Sequence, residues 1–207
     1  MAFSGWPAEA LEFYEGLEAD NSKTYWTAHK AVYDSHVVGP GRELIEELAA
    51  EFGDPRIFRP YRDLRFSSNK TPYKTNFGGM LGRTCYLQFS ADGLAAGNGV
   101  YQMDPEQLAR FRAAVDHDIA GQELTEIVSK LEADEIQVLG TGTLKTAPRG
   151  FDADHPRIAL LRHKGLYAWR NWPVAPWLET AQVKDEVLSF YRTTSGFSSW
   201  LTQHVTG

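Results

Sequence analysis

The chain has 207 residues, a net charge of -6 and one cysteine, Cys85. That length allows one large domain with a hydrophobic core, and a lone cysteine excludes both an internal disulfide and a cysteine-rich zinc site. No run is apolar enough to span a membrane, and the first residues lack the basic and apolar regions of a signal peptide. The sequence therefore predicts a single domain over residues 1–207, cytoplasmic and without a membrane partner.

The charge is unevenly distributed along the chain. The windows 56–74 and 145–170 together hold twelve basic and three acidic residues, whereas the rest holds nine basic and twenty-four acidic residues. An acidic body repels long nucleic acid, but two basic segments can still form a local pocket for a small anion. The distribution weighs against a general nucleic-acid binder, although nucleic acid stays among the partners considered. It does not decide the oligomeric state.

The first quarter of the chain has the apolar periodicity of three helices. The first is predicted over 7–17. Asn21 or Ser22 is suited to cap the second, which is predicted to end near 37–40, where glycine and proline follow two valines. The third is predicted over 41–52.

The most basic stretch covers residues 56–74, where six side chains are Lys or Arg and Asp63 is the only acid. Like charges at a spacing of three repel each other along an isolated helix, and Pro60 would interrupt a helix interior. We therefore predict an extended course, with a strand through 61–66 that brings Asp63 and Arg65 side by side. The spacing of three is that of four arginines: Arg56, Arg59, Arg62 and Arg65.

The second half of this stretch has turn and extended signals. Residues 67–69, Ser-Ser-Asn, predict a turn. Pro72 favours an extended backbone before it, so that the chain presents three further side chains to one site, those of Lys70, Tyr73 and Lys74. Such a composition predicts recognition of a phosphate or carboxylate, or else a structural network of ion pairs.

Alternation predicts a hairpin in the middle of the chain. One strand is predicted over 83–90, a turn over 91–93, and a second strand over 94–103 with an interruption at 97–99. Two explanations of the glycines here stay open, a ligand lying against bare backbone or turn and bulge geometry alone, and we favour the second. The glycines concerned are Gly78, Gly79, Gly97 and Gly99.

The rest of the chain alternates between helix and strand patterns. A helix starts at Asp104-Pro105, because Asp is a good N-cap and Pro fits the first helical turn. The aromatic residues of the strand at 166–172 could stack a base or a sugar ring if exposed, but core packing is the default expectation. The further predicted elements are a helix at 121–131, a strand at 136–139, and helices at 176–191 and 197–205.

A second cluster of chemically active side chains follows residue 150. Asp152, Asp154 and His155 lie within four residues, as a metal site or a general base requires. Because Pro156 comes next and an apolar pattern follows, we instead expect Asp154 or His155 to cap a helix. No metal site is predicted, and the catalytic candidates of the chain are Asp63 and His155.

Three sets of residues in this chain resemble the bacterial domain of unknown function 2461 family. That family has no established reaction, so the resemblance implies the family and carries over motif positions without catalytic roles. It covers nearly the whole chain. The matching positions are Asn21, Trp26, His29 and Lys30; Arg62, Asp63, Arg65, Phe66, Ser67, Asn69, Lys70, Pro72, Tyr73 and Lys74; and Leu144, Lys145, Pro148, Arg149, Gly150, Phe151, Asp154, His155, Pro156, Leu160, Leu161, Arg162 and Lys164.

These patterns predict an α+β fold, an antiparallel sheet flanked by helices from both termini. Two functions are compatible with it. The first is a protein that binds or acts on a small anionic, phosphorylated ligand, and the second is a non-catalytic protein-interaction module in which the Arg/Asp motif is a structural ion-pair network. The sequence identifies no cofactor and does not decide whether the protein is an enzyme. The predicted ligand contacts are Arg59, Arg62, Arg65, Lys70, Tyr73 and Lys74, with Lys145 and Arg149 opposite them.

Overall fold

The computed structural model of the protein describes residues 2–65 and 70–207. The chain forms two compact units. The first unit consists of Met1–Ala96 and Asn171–Ser189, and the second consists of Gly97–Arg170 and Phe190–Gly207.

The order of the elements follows the prediction except near the basic stretch, where the strands at 55–57 and 76–81 were not predicted. The helices are α1 (Ala8–Ala19), α2 (Lys23–Val32), α3 (Gly39–Phe52), α4 (Pro105–Asp116), α5 (Asp118–Ala133), α6 (Ile158–Leu161), α7 (Gln182–Thr193) and α8 (Ser195–Leu201). The strands are β1 (Pro55–Ile57), β2 (Asn76–Leu81), β3 (Cys85–Ser90), β4 (Gly93–Val100), β5 (Gln137–Thr141) and β6 (Gly165–Trp172). Short π-helical segments cover Tyr33–Val38 and Thr202–Thr206, and a 3₁₀ turn covers Pro176–Glu179.

The strands form an antiparallel sheet in the order β1-β2-β3-β4-β6-β5, and helices flank it, so the predicted α+β class is confirmed. β2 pairs with β3 over its whole length, from Asn76 opposite Ser90 to Leu81 opposite Cys85. In the parts of the chain that are described, no helix combines the length and apolar character needed to cross a membrane.

Two helix starts have the predicted chemistry. The Ser22 hydroxyl accepts a hydrogen bond from the Tyr25 N–H and caps α2. At α4, the Asp104 carboxylate accepts from two backbone N–H groups, and the Gln107 side chain accepts from the Asp104 N–H in return. This reciprocal capping box satisfies donors that a helix end otherwise leaves unpaired.

The predicted helix end near 37–40 is wrong, because the helical course continues from α2 into α3. The connection is the π-helical segment Tyr33–Val38, in which the Gly39 N–H donates to the Asp34 carbonyl five residues earlier. A proline ring normally clashes with the carbonyl four residues before it. The wider π turn accommodates Pro40 in the first turn of α3, so the proline does not end the helix.

The predicted strand through 61–66 is also wrong for the residues that are described. The strand of this region is β1, which is shorter and earlier, and Tyr61 makes a single isolated bridge with Tyr73. Pro60 and Pro72 sit in this short ladder and accept hydrogen bonds through their carbonyls, from the N–H groups of Lys74 and Arg62. Because proline has no N–H to donate, the ladder cannot extend. The predicted turn at 67–69 and Phe66 lie outside the described residues.

The first unit packs its core on one side of β2 and β3. Trp6 stacks on Phe89 of β3 at a centroid distance of 4.5 Å, and both side chains are buried. A Cβ atom at Gly79 would lie 2.3 Å from the Ile45 Cδ1, so the Ile45 side chain of α3 packs directly against the bare backbone of β2. This side of the hairpin is therefore filled by the protein itself.

In the second unit, β4 runs on through residues 97–99, where an interruption was predicted. A Cβ atom at Gly97 would lie 2.9 Å from the Trp169 ring, and one at Gly99 would lie 2.5 Å from the Leu166 carbonyl oxygen. These glycines make room for β6, which supports the structural explanation of both.

The aromatic strand β6 is only half in the core. Leu166 and Ala168 are buried, whereas Tyr167 and Trp169 alternate with them and are half-buried. The expectation that the aromatic residues form the core is therefore wrong, because the small and aliphatic positions of the alternation take the buried face.

Candidate functional site

The N-terminal helices hold the second half of the basic stretch in place. The Asn21 amide donates to the Tyr73 carbonyl at 3.2 Å, and the Tyr73 N–H donates to the Asn21 Oδ1 at 3.0 Å. The Trp26 ring stacks on the Tyr73 ring at 4.3 Å with an interplanar angle of 8°. Tyr73 is consequently buried and serves as an anchor, so its predicted role as a ligand contact is not supported by its exposure.

Lys74 follows this anchor and contacts Phe58 and the open side of the hairpin. Its N–H donates to the Pro60 carbonyl at 2.7 Å, which fixes the backbone beside Arg59. The Lys74 Nζ lies 5.4 Å from the centre of the Phe58 ring, over its face. The short two-proline ladder thus carries Lys74 to the cleft next to Phe58.

The cleft lies on the side of β2 and β3 away from the Trp6 core and has a volume of about 260 Å³. Successive residues of a strand point to opposite faces of the sheet. The residues that alternate with the core side chains of β2 and β3 therefore line the cleft. Its walls are six residues: Phe58, Lys74, Asn76, Gly78, Tyr86 and Gln88.

A hydrogen-bond network orders the polar wall of the cleft. The Tyr86 hydroxyl donates to the Gln88 Oε1 at 3.0 Å, and the Asn76 amide is 3.4 Å from both oxygens. Burial raises the pKa of Tyr86, while the Asn76 hydrogen bond opposes the rise. Tyr86 is therefore a neutral hydroxyl at pH 7. Because the Gln88 oxygen is the accepting atom, its amide N–H bonds remain as donors for a ligand.

Cations cluster around the aromatic wall of the cleft. The Arg56 guanidinium carbon lies 5.6 Å from the Phe58 ring centre, in addition to the Lys74 contact, and the Tyr86 ring stacks on Phe58 at 6.2 Å. Burial lowers the pKa of Lys74, and the charge of Arg59 lowers it further. Among the described residues, no carboxylate lies within 4.0 Å of the charged groups of Arg56, Arg59 or Lys74.

Asp63 and Arg65 form a local, exposed ion pair, as predicted. The Arg65 Nη2 lies 2.7 Å from the Asp63 Oδ2, and the Arg65 Nε lies 3.0 Å from Oδ1. The Arg65 hydrogen bonds lower the pKa of Asp63, which makes this carboxylate a weaker base than an unpaired one. The geometry favours a structural role for Asp63 over its candidate role as a general base.

Two other predicted contacts of the first unit are bound to their own segment. The Arg62 Nη1 donates to the Thr71 hydroxyl at 2.9 Å, and the Lys70 ammonium donates to the Leu64 carbonyl at 3.1 Å. These bonds connect the described loop residues on one side, 62–65, with those on the other, 70–71. Arg62 and Lys70 therefore stabilise this loop, whereas Lys74 lines the cleft and the charge of Arg59 acts on Lys74.

The remaining predicted contacts, Lys145 and Arg149, belong to the second unit. Both side chains are exposed, on the segment between β5 and α6. That these two residues lie opposite the other predicted ligand contacts stays a prediction.

His155 is a bridging residue in the second unit. Its Nδ1 accepts from the Arg157 N–H at 3.0 Å, which requires the proton on Nε2, and Nε2 lies 3.1 Å from the Asp116 Oδ1. α6 begins after Arg157 and has no side-chain cap, so the expected capping by Asp154 or His155 is wrong. The physical reason is that the His155 ring accepts from a turn N–H before the helix and ties that turn to the end of α4.

Arg157 caps the C-terminal end of α4 in the second unit, which is a different helix end from the one that His155 was expected to cap. The Arg157 Nε donates to the Val115 carbonyl at 2.6 Å, and its Nη2 donates to the Asp116 carbonyl at 3.0 Å. These are free carbonyls in the last turn of α4, where a positive charge also opposes the helix dipole.

No group of three or more His, Cys, Asp or Glu side chains suitable for a metal ion occurs in residues 2–65 and 70–207. Cys85 is buried and not in a disulfide, and burial raises its pKa to about 11. Of the six residues that line the cleft, Lys74 and Tyr86 have titratable side chains.

Five of the six residues that line the cleft were absent from the predicted contacts, although Gly78 had been considered for a close ligand approach. Tyr86 and Gln88 alternate with the buried Cys85, Leu87 and Phe89, so the alternation in the sequence already marks them as one face. Asn76 extends that face on β2. Phe58 has no such signal, because it follows β1 and reaches the hairpin through the bond from its N–H to the Gly78 carbonyl.

The sequence of the chain matches the model of one protein family. The sequence model of the family described as "Conserved hypothetical protein (DUF2461)" matches residues 9–200. The chain therefore belongs to this family, as its motifs predicted. No curated protein and no solved structure matches the chain significantly.

Proposed function

We propose that this protein binds a small anionic ligand in the cleft beside Phe58. The observation that carries the proposal is the pair of cations over one aromatic ring, Arg56 and Lys74, without a carboxylate within 4.0 Å among the described residues, together with the charge of Arg59, which acts on Lys74. Cations that are brought together repel each other, and an anion that binds between them relieves this repulsion.

The size and lining of the cleft favour a phosphorylated or carboxylated metabolite over a larger ligand. Pockets for drug-sized ligands have about 300–1,000 Å³, and this cleft has about 260 Å³. Gln88 and Asn76 supply amide groups, and Gly78 lines the cleft without a side chain. Of the four glycines considered for close ligand approach, Gly78 is the one that lines the cleft. Guanidinium groups bind phosphate and carboxylate oxygens through paired hydrogen bonds.

The proposal includes a cytoplasmic location and does not require nucleic acid. A single buried thiol, free of any disulfide, is typical of proteins from reducing compartments. The net charge of -6 disfavours long polyanions, which depend on many phosphate contacts.

A protein-interaction module is the second candidate, and it has a specific observation in its favour. The Asp63–Arg65 ion pair is exposed, and the adjacent Tyr61 has 47% of its surface exposed. An exposed aromatic next to an arginine is a common arrangement in protein interfaces. In this alternative the arginines have only a structural role and the cleft binds no small ligand.

The melting temperature against a ligand panel tests the proposal. The panel consists of inorganic phosphate, small sugar phosphates, small carboxylates, nucleotides and a short oligonucleotide. A ligand at one hundred times its dissociation constant adds about 2.7 kcal/mol, which raises the melting temperature of a protein of this size by roughly 5–10 °C.

Matched variants locate the effect. We expect Arg59→Gln and Arg56→Gln to reduce the shift, because each removes a cation near the cleft. Arg65→Gln is the control, since it removes an exposed guanidinium that already pairs with Asp63. A shift that is lost in Arg65→Gln and retained in Arg59→Gln contradicts the cleft, and a flat panel favours the interaction module.

A further inference from the structure

Lys74 differs from the other lysines of the chain, all of which lie in described residues. Two lysines are half-buried, Lys74 and Lys184. Lys184 has a carboxylate partner, since its Nζ lies 2.6 Å from the Glu47 Oε2. Lys74 has an aromatic ring as its neighbour, and no carboxylate of the described residues is within 4.0 Å of it. The chain thus contains one half-buried amine whose charge is compensated and one whose charge is not.

The surroundings of the Lys74 amine disfavour its charged form. Partial burial removes water from the ammonium, and the guanidinium groups of Arg59 and Arg56 lie on the neighbouring segment, Arg56 on the same ring. Both effects lower the pKa of Lys74, burial first and Arg59 second. The contact with Phe58, at 5.4 Å, is near the outer limit of about 6 Å for a cation–π interaction, so it offsets the loss of hydration only in part.

Proteins use lysines in such surroundings as nucleophiles. A neutral amine attacks carbonyl carbon, and a lysine becomes neutral near pH 7 when it is desolvated or lies next to another cation. Arginine stays charged in the same place because its pKa is far higher. The cleft therefore contains an amine whose charged form is disfavoured, and the Arg56 guanidinium lies over the same aromatic ring as this amine.

We propose that Lys74 is the nucleophile of the cleft and forms a Schiff base with a small aldehyde or ketone that carries a phosphate or carboxylate group. This inference rests on the anion binding proposed above, and it names the chemical class of the ligand. Arg59 and Arg56 hold the anionic group, and the Nζ of Lys74 attacks the carbonyl carbon.

The step balances without an oxidant or a reductant. The Nζ lone pair forms the C–N bond, the carbonyl oxygen takes up a proton and the nitrogen loses one, which gives a carbinolamine. The C–O bond then breaks, the oxygen leaves as water after a second protonation, and the C=N bond of the iminium forms. Addition of water reverses the sequence and releases the ligand.

Reductive trapping tests the inference. The intact protein is incubated with glycolaldehyde phosphate and cyanoborohydride, whose hydride adds to the iminium carbon and leaves a stable secondary amine. Peptide mapping by mass spectrometry then gives the modified lysine. We expect modification of Lys74 several-fold faster than of the exposed Lys70, and faster with glycolaldehyde phosphate than with uncharged glycolaldehyde.

Two variants separate this inference from the binding it rests on. Lys74→Arg keeps a cation but has no nucleophilic amine, so it should retain the melting shift with inorganic phosphate and lose the preferred adduct. Lys70→Arg should keep the Lys74 adduct. Phosphate stabilisation of the wild-type protein with adducts spread over the exposed lysines overturns the nucleophile and leaves anion binding intact. If phosphate gives no stabilisation and Lys74 is not preferred, both proposals fail.

Discussion

Two neighbouring residues of the basic stretch 56–74 have different roles because their side chains point to opposite sides of the backbone. Tyr73 points into the helical anchor of Asn21 and Trp26, and Lys74, one residue later, points into the cleft. An extended backbone turns successive side chains to opposite sides, so the basic motif can be tied to the body of the unit and still present a cation. The predicted ligand contacts therefore divide into residues that build the loop and residues that face the cleft.

The replacement Arg62→Ala tests whether Arg62 stabilises the loop or faces the cleft. Its side chain is half-buried and donates to the Thr71 hydroxyl. Loss of one such hydrogen bond is expected to reduce the free energy of unfolding by about 0.5–1.5 kcal/mol, as measured in urea. Removing one partner of a buried ion pair costs about 3–5 kcal/mol, so a loss of that size would contradict the description of Arg62 as a loop residue. The ligand shift in melting temperature should stay near that of the wild-type protein.

Individual contacts between elements also hold the first unit together. Glu47 on α3 accepts from the Phe3 N–H at 2.6 Å and from the Lys184 ammonium of α7 at 2.6 Å. One carboxylate thus joins the N-terminal segment and a late helix to α3. In the second unit, Arg157 and His155 do the same for the end of α4.

The Glu47 junction predicts a loss of stability in acid. The hydrogen bonds from Lys184 and Phe3 lower the pKa of Glu47 below its ordinary value. A carboxylate with a lowered folded-state pKa stabilises the protein above its unfolded pKa, about 4.3, and this contribution disappears as the pH falls through the folded pKa. We expect Glu47→Gln to lose less stability than the wild-type protein between neutral pH and pH values below about 4.

Thermal unfolding across this pH range makes the comparison. Glu46→Gln is the control, because Glu46 is the exposed neighbour of Glu47 on the same helix. Its acid dependence should follow the wild-type protein. If Glu47→Gln also follows it, the junction does not contribute to the acid dependence.

The cap on α4 predicts a structural cost for Arg157→Ala. Two hydrogen bonds from a charged group to the last turn are lost, together with the favourable charge at the helix end. Hydrogen bonds of charged groups contribute about 1.5–3 kcal/mol, so we expect a loss of that order in urea unfolding and faster amide exchange in the last turn of α4. Arg149→Ala, at an exposed position of the same segment, should change stability by about 0.5 kcal/mol or less. Equal effects of the two replacements would contradict the cap.

At the scale of the whole molecule, the elements were predictable where a local rule governs them. Ser22 and Asp104 start helices because their side chains satisfy free N–H groups, and the strand at 83–90 follows from simple alternation. The helix through Pro40 was not predictable in this way, since the local rule places a helix end before a proline and does not foresee the π turn that precedes it. The shortened strand before Tyr61 depends likewise on which N–H groups meet the carbonyls of the two prolines.

The candidate site was predictable in its chemistry more than in its geometry. The density of Lys and Arg in residues 56–74 indicated an anion, and Lys74 was among the predicted contacts. Phe58, Asn76 and Gln88 come together only because the sheet pairs β1, β2 and β3. Alternation places Tyr86 and Gln88 on one face of β3, but no spacing in the sequence encodes the pairing that adds Phe58 and Asn76 to that face.

The central claim is that a small anion binds beside Phe58, and an NMR titration of the ¹⁵N-labelled protein with inorganic phosphate tests it most directly. We predict saturable changes in amide shifts that are largest at the residues lining the cleft, among them Lys74, Gly78 and Gln88. The changes should weaken in Arg59→Gln. Largest changes at Asp63 and Arg65 or at residues 145–149, or no saturable change at millimolar phosphate, would contradict the account.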